Sequence, residues 1–244
     1  MSGHSKWNNI AKRKGANDAK KAKIFTKIGR EMAIAIKEGG SANPDFNARL
    51  RDCIAKAKAN NMPNDNIKRT LDKYSGANGQ VDYEANNYEG YGVGGVAVVV
   101  ETLTDNKNRT VADVRHLFDK YGAGLGASGC VSWQFDKKGV IVIDNEDEDL
   151  DEEAVFESAL EAGADDLEAE EGIFTVYTQP DDVASVAEAL SAKYRLLSAQ
   201  VEMVPQNYIT LTDEGDIKNM SKMLEMFDDN EDVQNVWHNW ENEE

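Results

Sequence analysis

Nine cationic side chains stand in the first thirty residues: Lys6, Lys12, Arg13, Lys14, Lys20, Lys21, Lys23, Lys27 and Arg30. Yet the 244-residue chain carries a formal net charge of −18. Lysine and arginine gathered this densely suit phosphate. Each one that meets a phosphate releases condensed counterions, so a cluster of this size binds polyanions with a steep salt dependence. Trp7 adds a stacking surface, and Asn8, Asn9 and Asn17 add hydrogen-bonding groups, a set that fits RNA or single strands. Lys56, Lys58, Lys68 and Arg69 extend the candidate patch. Residues 1–80 hold 17 basic and 7 acidic side chains, a balance of +10. Residues 81–244 hold 10 and 38, a balance of −28. A basic head is joined to an acidic body, the charge signature of a polyanion-binding module.

Other chemistry finds little support. The three histidines, His4, His116 and His238, are scattered, and no nucleophile elbow or Cys-His signature surrounds Cys53 or Cys130. Catalysis is therefore not expected, nor is a cofactor or a small-molecule substrate. The acidic run from Asp144 to Glu171 fails as a calcium loop: the sixth position lacks glycine and Val155 stands where the bidentate glutamate belongs. No metal is expected, and the run reads as a solvated face that repels nucleic acid and helps aim the head. "GYGVGG" (90–95) precedes a strand and lacks Gly-Lys-Ser/Thr, so it is no phosphate loop. "GAGLGASG" (122–129) follows a helix and precedes a strand, the reverse of a dinucleotide fingerprint. Both read as turns whose small residues could enter a narrow site on a partner.

The elements that must position the cations follow from periodicity. A helix is predicted from Asn17 or Asp18 to Gly39-Gly40. Ile24, Phe25, Ile28, Met32, Ala35 and Ile36 form its apolar face, with Lys20, Lys23, Lys27 and Arg30 on another. A second helix is predicted to start at Asn43-Pro44 and to carry Phe46, Leu50, Ile54 and Ala57 inward. "MPNDNIKRTLDKY" (62–74) gives a third. Residues 75–95, rich in glycine and asparagine, read as a linker. Strands are expected at 96–103, 130–135, 140–143, 173–178, 199–204 and 233–240. The pair 130–135 and 140–143 reads as a hairpin turning on Asp136-Lys137-Lys138-Gly139. Helices are expected at 111–122, 151–162, 181–193 and 213–227. This alternation predicts an α+β class, with helices on one face of mostly antiparallel sheets. No run approaches a membrane span and no secretory leader is evident, so a cytoplasmic, non-membrane protein is expected.

Several stretches resemble the YebC/PmpR family, in order along nearly the whole chain. They are "MSGHSKWNNIAKRKGANDAKKAKIFTKIGREM", "NMPNDNI", "YEGYGVGGVAVVVETLTDNKNRTVADVRH", "GLGASGCVSWQF", "FTVYT" and "DVQNVWHNW". Val93, where the family usually has proline, Ala123, in the stretch where it usually shows a glycine pair, and Cys130, where it usually has serine, depart from the pattern. The resemblance implies three domains: a helical one at 1–79, an α+β one at 80–130 plus 205–244, and an acidic α+β insert at 131–204. It implies a non-enzymatic nucleic-acid role, in a family described both as DNA-binding transcriptional regulators and as ribosome-associated translation factors that relieve stalling. The absence of a clear helix-turn-helix and the Lys/Asn/Gly-rich arm tilt the expectation toward rRNA in the ribosome, with promoter DNA as the alternative partner. A reading of another class makes the acidic body a docking module for a basic protein.

Overall fold

The computed structural model describes residues 18–75, 82–146, 150–170 and 172–241, which form an α+β protein of two compact units. The first to be built along the chain contains Gly15–Val131 and Thr212–Val236. Its opening helix, α1 (Asp18–Gly39), is rich in alanine and lysine, strong helix formers. It ends where Gly40 adopts φ +64°, the left-handed turn that glycine takes without penalty. Helix α2 (Ala48–Ala59) and helix α3 (Asn64–Ser75) pack on α1 around Ile28, Met32, Ala35, Leu50, Cys53, Ala57 and Ile67. Burying this apolar set is what closes the small bundle.

The second helix corrects the expectation. It starts at Ala48, after a 3-10 turn at Pro44–Phe46. Asn47 is its cap: the side-chain oxygen accepts from the Leu50 N–H at 3.0 Å, and the amide donates to the carbonyls of Ala35 and Ser41. Capping by Asn47 leaves Phe46 outside the helix, and its ring is 80% exposed instead of facing inward.

A three-stranded sheet has the order β1-β2-β7, of β1 (Glu84–Tyr91), β2 (Ala97–Thr104) and β7 (Val233–His238). Strand β1 occupies part of the predicted linker. Its polar sequence carries no strand signal, but antiparallel pairing along β2, from Glu84 opposite Thr104 to Tyr91 opposite Ala97, supplies its hydrogen bonds. Helix α4 (Lys107–Tyr121) and helix α7 (Glu214–Asp229) pack together, with the Phe118 and Phe227 rings 5.5 Å apart.

The second unit includes Ser132–Leu211. Its sheet is antiparallel throughout, in the order β4-β5-β3-β6, of β3 (Phe135–Asp144), β4 (Asp166–Glu170), β5 (Ile173–Thr178) and β6 (Leu196–Pro205). The predicted hairpin at 136–139 does not exist. Gly139 lies inside the continuous strand β3, opposite Thr178 on one side and Val201 on the other. A central strand has both edges paired, and here that overrides the local turn signal of Asp-Lys-Lys-Gly. Helix α5 (Glu152–Ala162) and helix α6 (Val183–Ser191) cover the face bearing Ile141, Ile143, Phe174 and Val176. Val140, Val142, Ile173 and Tyr177 are buried on the other face. Burial on both faces explains the unbroken apolar run "VIVI". Among the described residues no helix is long and apolar enough to cross a membrane.

Candidate nucleic-acid interface

Helix α1 brings part of the predicted cationic set onto one face, because residues four and seven apart lie on the same side of a helix. Lys23, Lys27 and Arg30 share it, and all three meet one acidic segment, residues 228–232, at the end of α7. Lys23 Nζ lies 2.6 Å from Asp229 Oδ1 and Lys27 Nζ 3.1 Å from Asp228 Oδ1. Arg30 Nη1 donates to Asp232 Oδ1 at 2.7 Å and to the Leu103 and Glu231 carbonyls. The Lys23 ammonium is held above its ordinary pKa, chiefly by the hydrogen bond to Asp229. Lys21 is exposed on a different side of the helix.

The remaining candidates divide. Lys56 pairs with Glu31 at 2.8 Å. Lys58, Lys68 and Arg69 are exposed on the outer sides of α2 and α3. Lys6, Trp7, Lys12, Arg13 and Lys14 lie outside the described residues, and of Lys20 only its place in α1 is described.

Two depths of electrostatics meet on this face. Asp228 and Asp229 have side chains 71% and 57% exposed, so their pairs with lysine contribute at most about 1 kcal/mol each. Asp232 is different, with a side chain only 4% exposed. Its carboxylate accepts from Arg30, from Arg109 Nε and Nη2, and from Thr110 Oγ1 at 2.8 Å. Burial works to raise the Asp232 carboxyl, but these hydrogen bonds outweigh it and leave the group below its ordinary value of 3.8. Arg109 and Thr110 come from "LTDNKNRT". In that block Thr104 Oγ1 accepts the Asn106 N–H, and Asn106 in turn caps α4 at the Arg109 N–H. Sequence reading missed Asp232 as the hub. The available signal was acidic residues at the end of a helix, where the macrodipole disfavours them.

The two glycine-rich stretches form one cluster. Gly90 bridges to Leu125, the Ala123 N–H donates to the Tyr91 carbonyl at 2.9 Å, and the Gly126 N–H to the Glu89 carbonyl at 2.8 Å. Buried Glu89 holds the second loop, its two carboxylate oxygens accepting from the Gly129 and Val131 N–H groups at 3.0 and 3.1 Å. Gly126-Ala127-Ser128-Gly129 is left exposed as an uncharged tip. A Cβ at Gly122 would overlap the Tyr91 carbonyl, and one at Gly126 the Cys130 sulfur, so both positions need glycine.

Comparison with known proteins places this geometry. One family model, described as the TACO1/YebC protein N-terminal domain, matches residues 5–77. A second, the TACO1/YebC second and third domain, matches residues 83–240. The chain belongs to the TACO1/YebC family. Among TACO1/YebC relatives, a protein of Acetivibrio thermocellus is 52% identical over 98% of this chain and 99% of its own length. One of Clostridium beijerinckii is 54% identical over 99% and 97%. Both are named probable transcriptional regulatory protein. A crystal structure of a conserved hypothetical protein from Aquifex aeolicus superposes with a TM-score of 0.79, at 40% identity over 92% of this chain and 91% of that one. The three positions expected to depart from the family, Val93, Ala123 and Cys130, all fall in the glycine cluster.

Proposed function

We propose that this chain is a non-enzymatic nucleic-acid-binding regulator of gene expression. More specifically, it is a ribosome-associated translation factor whose basic head holds rRNA phosphates. The observation that carries the reading is the split of charge, +10 over residues 1–80 against −28 over the rest. Exposed Lys21, Lys58, Lys68 and Arg69 on the helical bundle support it. The arm at Lys6, Trp7, Lys12, Arg13 and Lys14 supplies further charge and a stacking ring, and Lys20, Lys23 and Lys27 continue it along α1. Arg30 and Lys56 act by bracing the bundle through their carboxylate partners. We assign three domains, at 1–79, at 80–130 with 205–244, and at 131–204, the last of them the acidic insert.

The mechanism is positioning. The acidic body is repelled by phosphate and orients the head toward it. The tip at 126–129 has neither charge nor bulk, which suits entry into a confined site. Ribosome co-sedimentation at rising salt tests the reading. Lys20→Glu, Lys21→Glu and Lys23→Glu together should abolish association at salt where the wild type still pellets, and unchanged association would sink the claim. In-cell crosslinking with sequencing of the bound nucleic acid decides the partner. Enrichment of rRNA supports the translation role, and promoter DNA with sequence preference at physiological salt supports the transcriptional one.

A further inference from the structure

The pairing of Lys23 and Lys27 raises a question of availability. Both ammonium groups already have an anion, and that anion belongs to the same chain. The acids stand where helix energetics alone would not put them. Asp228 and Asp229 close α7, which has no basic residue in its last turn, so both carboxylates face the negative end of the macrodipole. What compensates them is α1. Lys23 reaches Asp229, and Lys27 reaches both the side chain and the carbonyl of Asp228. Glu231 lies beside Arg30 at 3.6 Å and continues the acidic row. The two aspartates are mostly in water, while the Lys27 side chain is only 13% exposed. Exposed pairs of this kind are weak and screened by salt.

We propose that Asp228 and Asp229 are autoinhibitory residues of the nucleic-acid grip. They occupy the ammonium groups of Lys27 and Lys23 as internal stand-ins for phosphate. An isolated anion gains no more from these lysines than the aspartates already provide, so it does not displace them. A folded nucleic acid presents several phosphates at fixed spacing and engages Lys23 and Lys27 together, and the sum exceeds two weak pairs. The acidic end of α7 thus lowers affinity for every polyanion by the cost of opening these pairs, which only a ligand with several phosphates in place exceeds. The proposal rests on the reading of the basic head as a phosphate grip.

The test uses the full chain, with binding to a fluorescein-labelled RNA hairpin and to heparin measured by anisotropy at low salt. Asp228→Asn with Asp229→Asn keeps the shape and an acceptor oxygen but removes the charge. The variant should bind both polyanions roughly 2- to 30-fold more tightly, the range given by removing the exposed aspartate partners of two lysines. The gain should fade as salt screens the pairs. Its thermal midpoint should stay close to wild type, because relief of the dipole offsets the lost pairs. Lys23→Glu with Lys27→Glu, in the same Asn background, should erase the gain. If the Asn variant binds no more tightly while the lysine variant still weakens binding, the aspartates are structural staples and the proposal is overturned. If the lysine variant leaves binding unchanged in both backgrounds, the grip itself fails. Should the double Asn variant not fold, Asp229→Asn alone carries the same comparison through Lys23.

Discussion

At the residue scale the most consequential side chain is Asp232, and its value is set by what surrounds it. Three donors, two of them guanidinium groups, converge on a carboxylate removed from water. Such a group stabilises only as an ion. Asp232→Asn should cost about 3 kcal/mol, because it removes the buried counter-charge of Arg30, itself only 11% exposed, and leaves it the exposed Glu231 at 3.6 Å. Urea denaturation of the variant beside wild type checks this. The pH dependence has a definite sign. The folded carboxyl titrates below 3.8, so its contribution is fully present well above that value and is lost as pH falls through the lower folded one. The stability gap between wild type and Asp232→Asn should therefore be constant near neutrality and close below about pH 4. None of this was legible from residue types. An aspartate in "DDNEDV" looks like its neighbours until the fold brings α1 and α4 to it.

At the scale of elements, periodicity revealed those elements whose burial has a single period. Helices α1 and α3 fall where one buried face puts their apolar residues, and β2 and β5 show as unbroken apolar runs because they are buried nearly throughout. The edge strands β1 and β4 escaped. Strands β1 and β4 are polar, and strand pairing determines them, a property of the neighbours rather than of the segment. The glycine cluster shows the same dependence. Its residues announce turns, but only the folded chain reveals that Glu89 fastens one loop to the strand below it. Glu89→Ala should leave the Gly129 and Val131 N–H groups without their acceptor. The expected cost is about 1–3 kcal/mol, confined to the loop. Hydrogen exchange at those two amides should accelerate while the amides of β2 stay protected. Equal acceleration in β2 would mean that the carboxylate holds the whole sheet.

For the whole molecule, charge is the governing quantity. A body at −28 repels itself, and added salt relieves that repulsion by screening it. The same salt competes with nucleic acid for the head. The two effects have opposite signs. Raising salt from about 0.02 to about 0.2 M should increase the thermal midpoint while lowering affinity for an RNA hairpin by a large factor. Calorimetry and anisotropy on one preparation would measure both. Parallel changes would show that the charge split does not govern binding.

The sequence by itself determined the α+β class, the helical bundle, the family and the division of charge. Each follows from composition, local periodicity or matched segments, and needs no knowledge of which distant residues meet. Tertiary structure decided which cations already have partners. Lys23, Lys27 and Arg30 read as one open basic face along α1, yet residues some two hundred positions away supply carboxylates to all three. Charge pairing across such a separation depends on how α7 packs, and no periodicity within α1 encodes it.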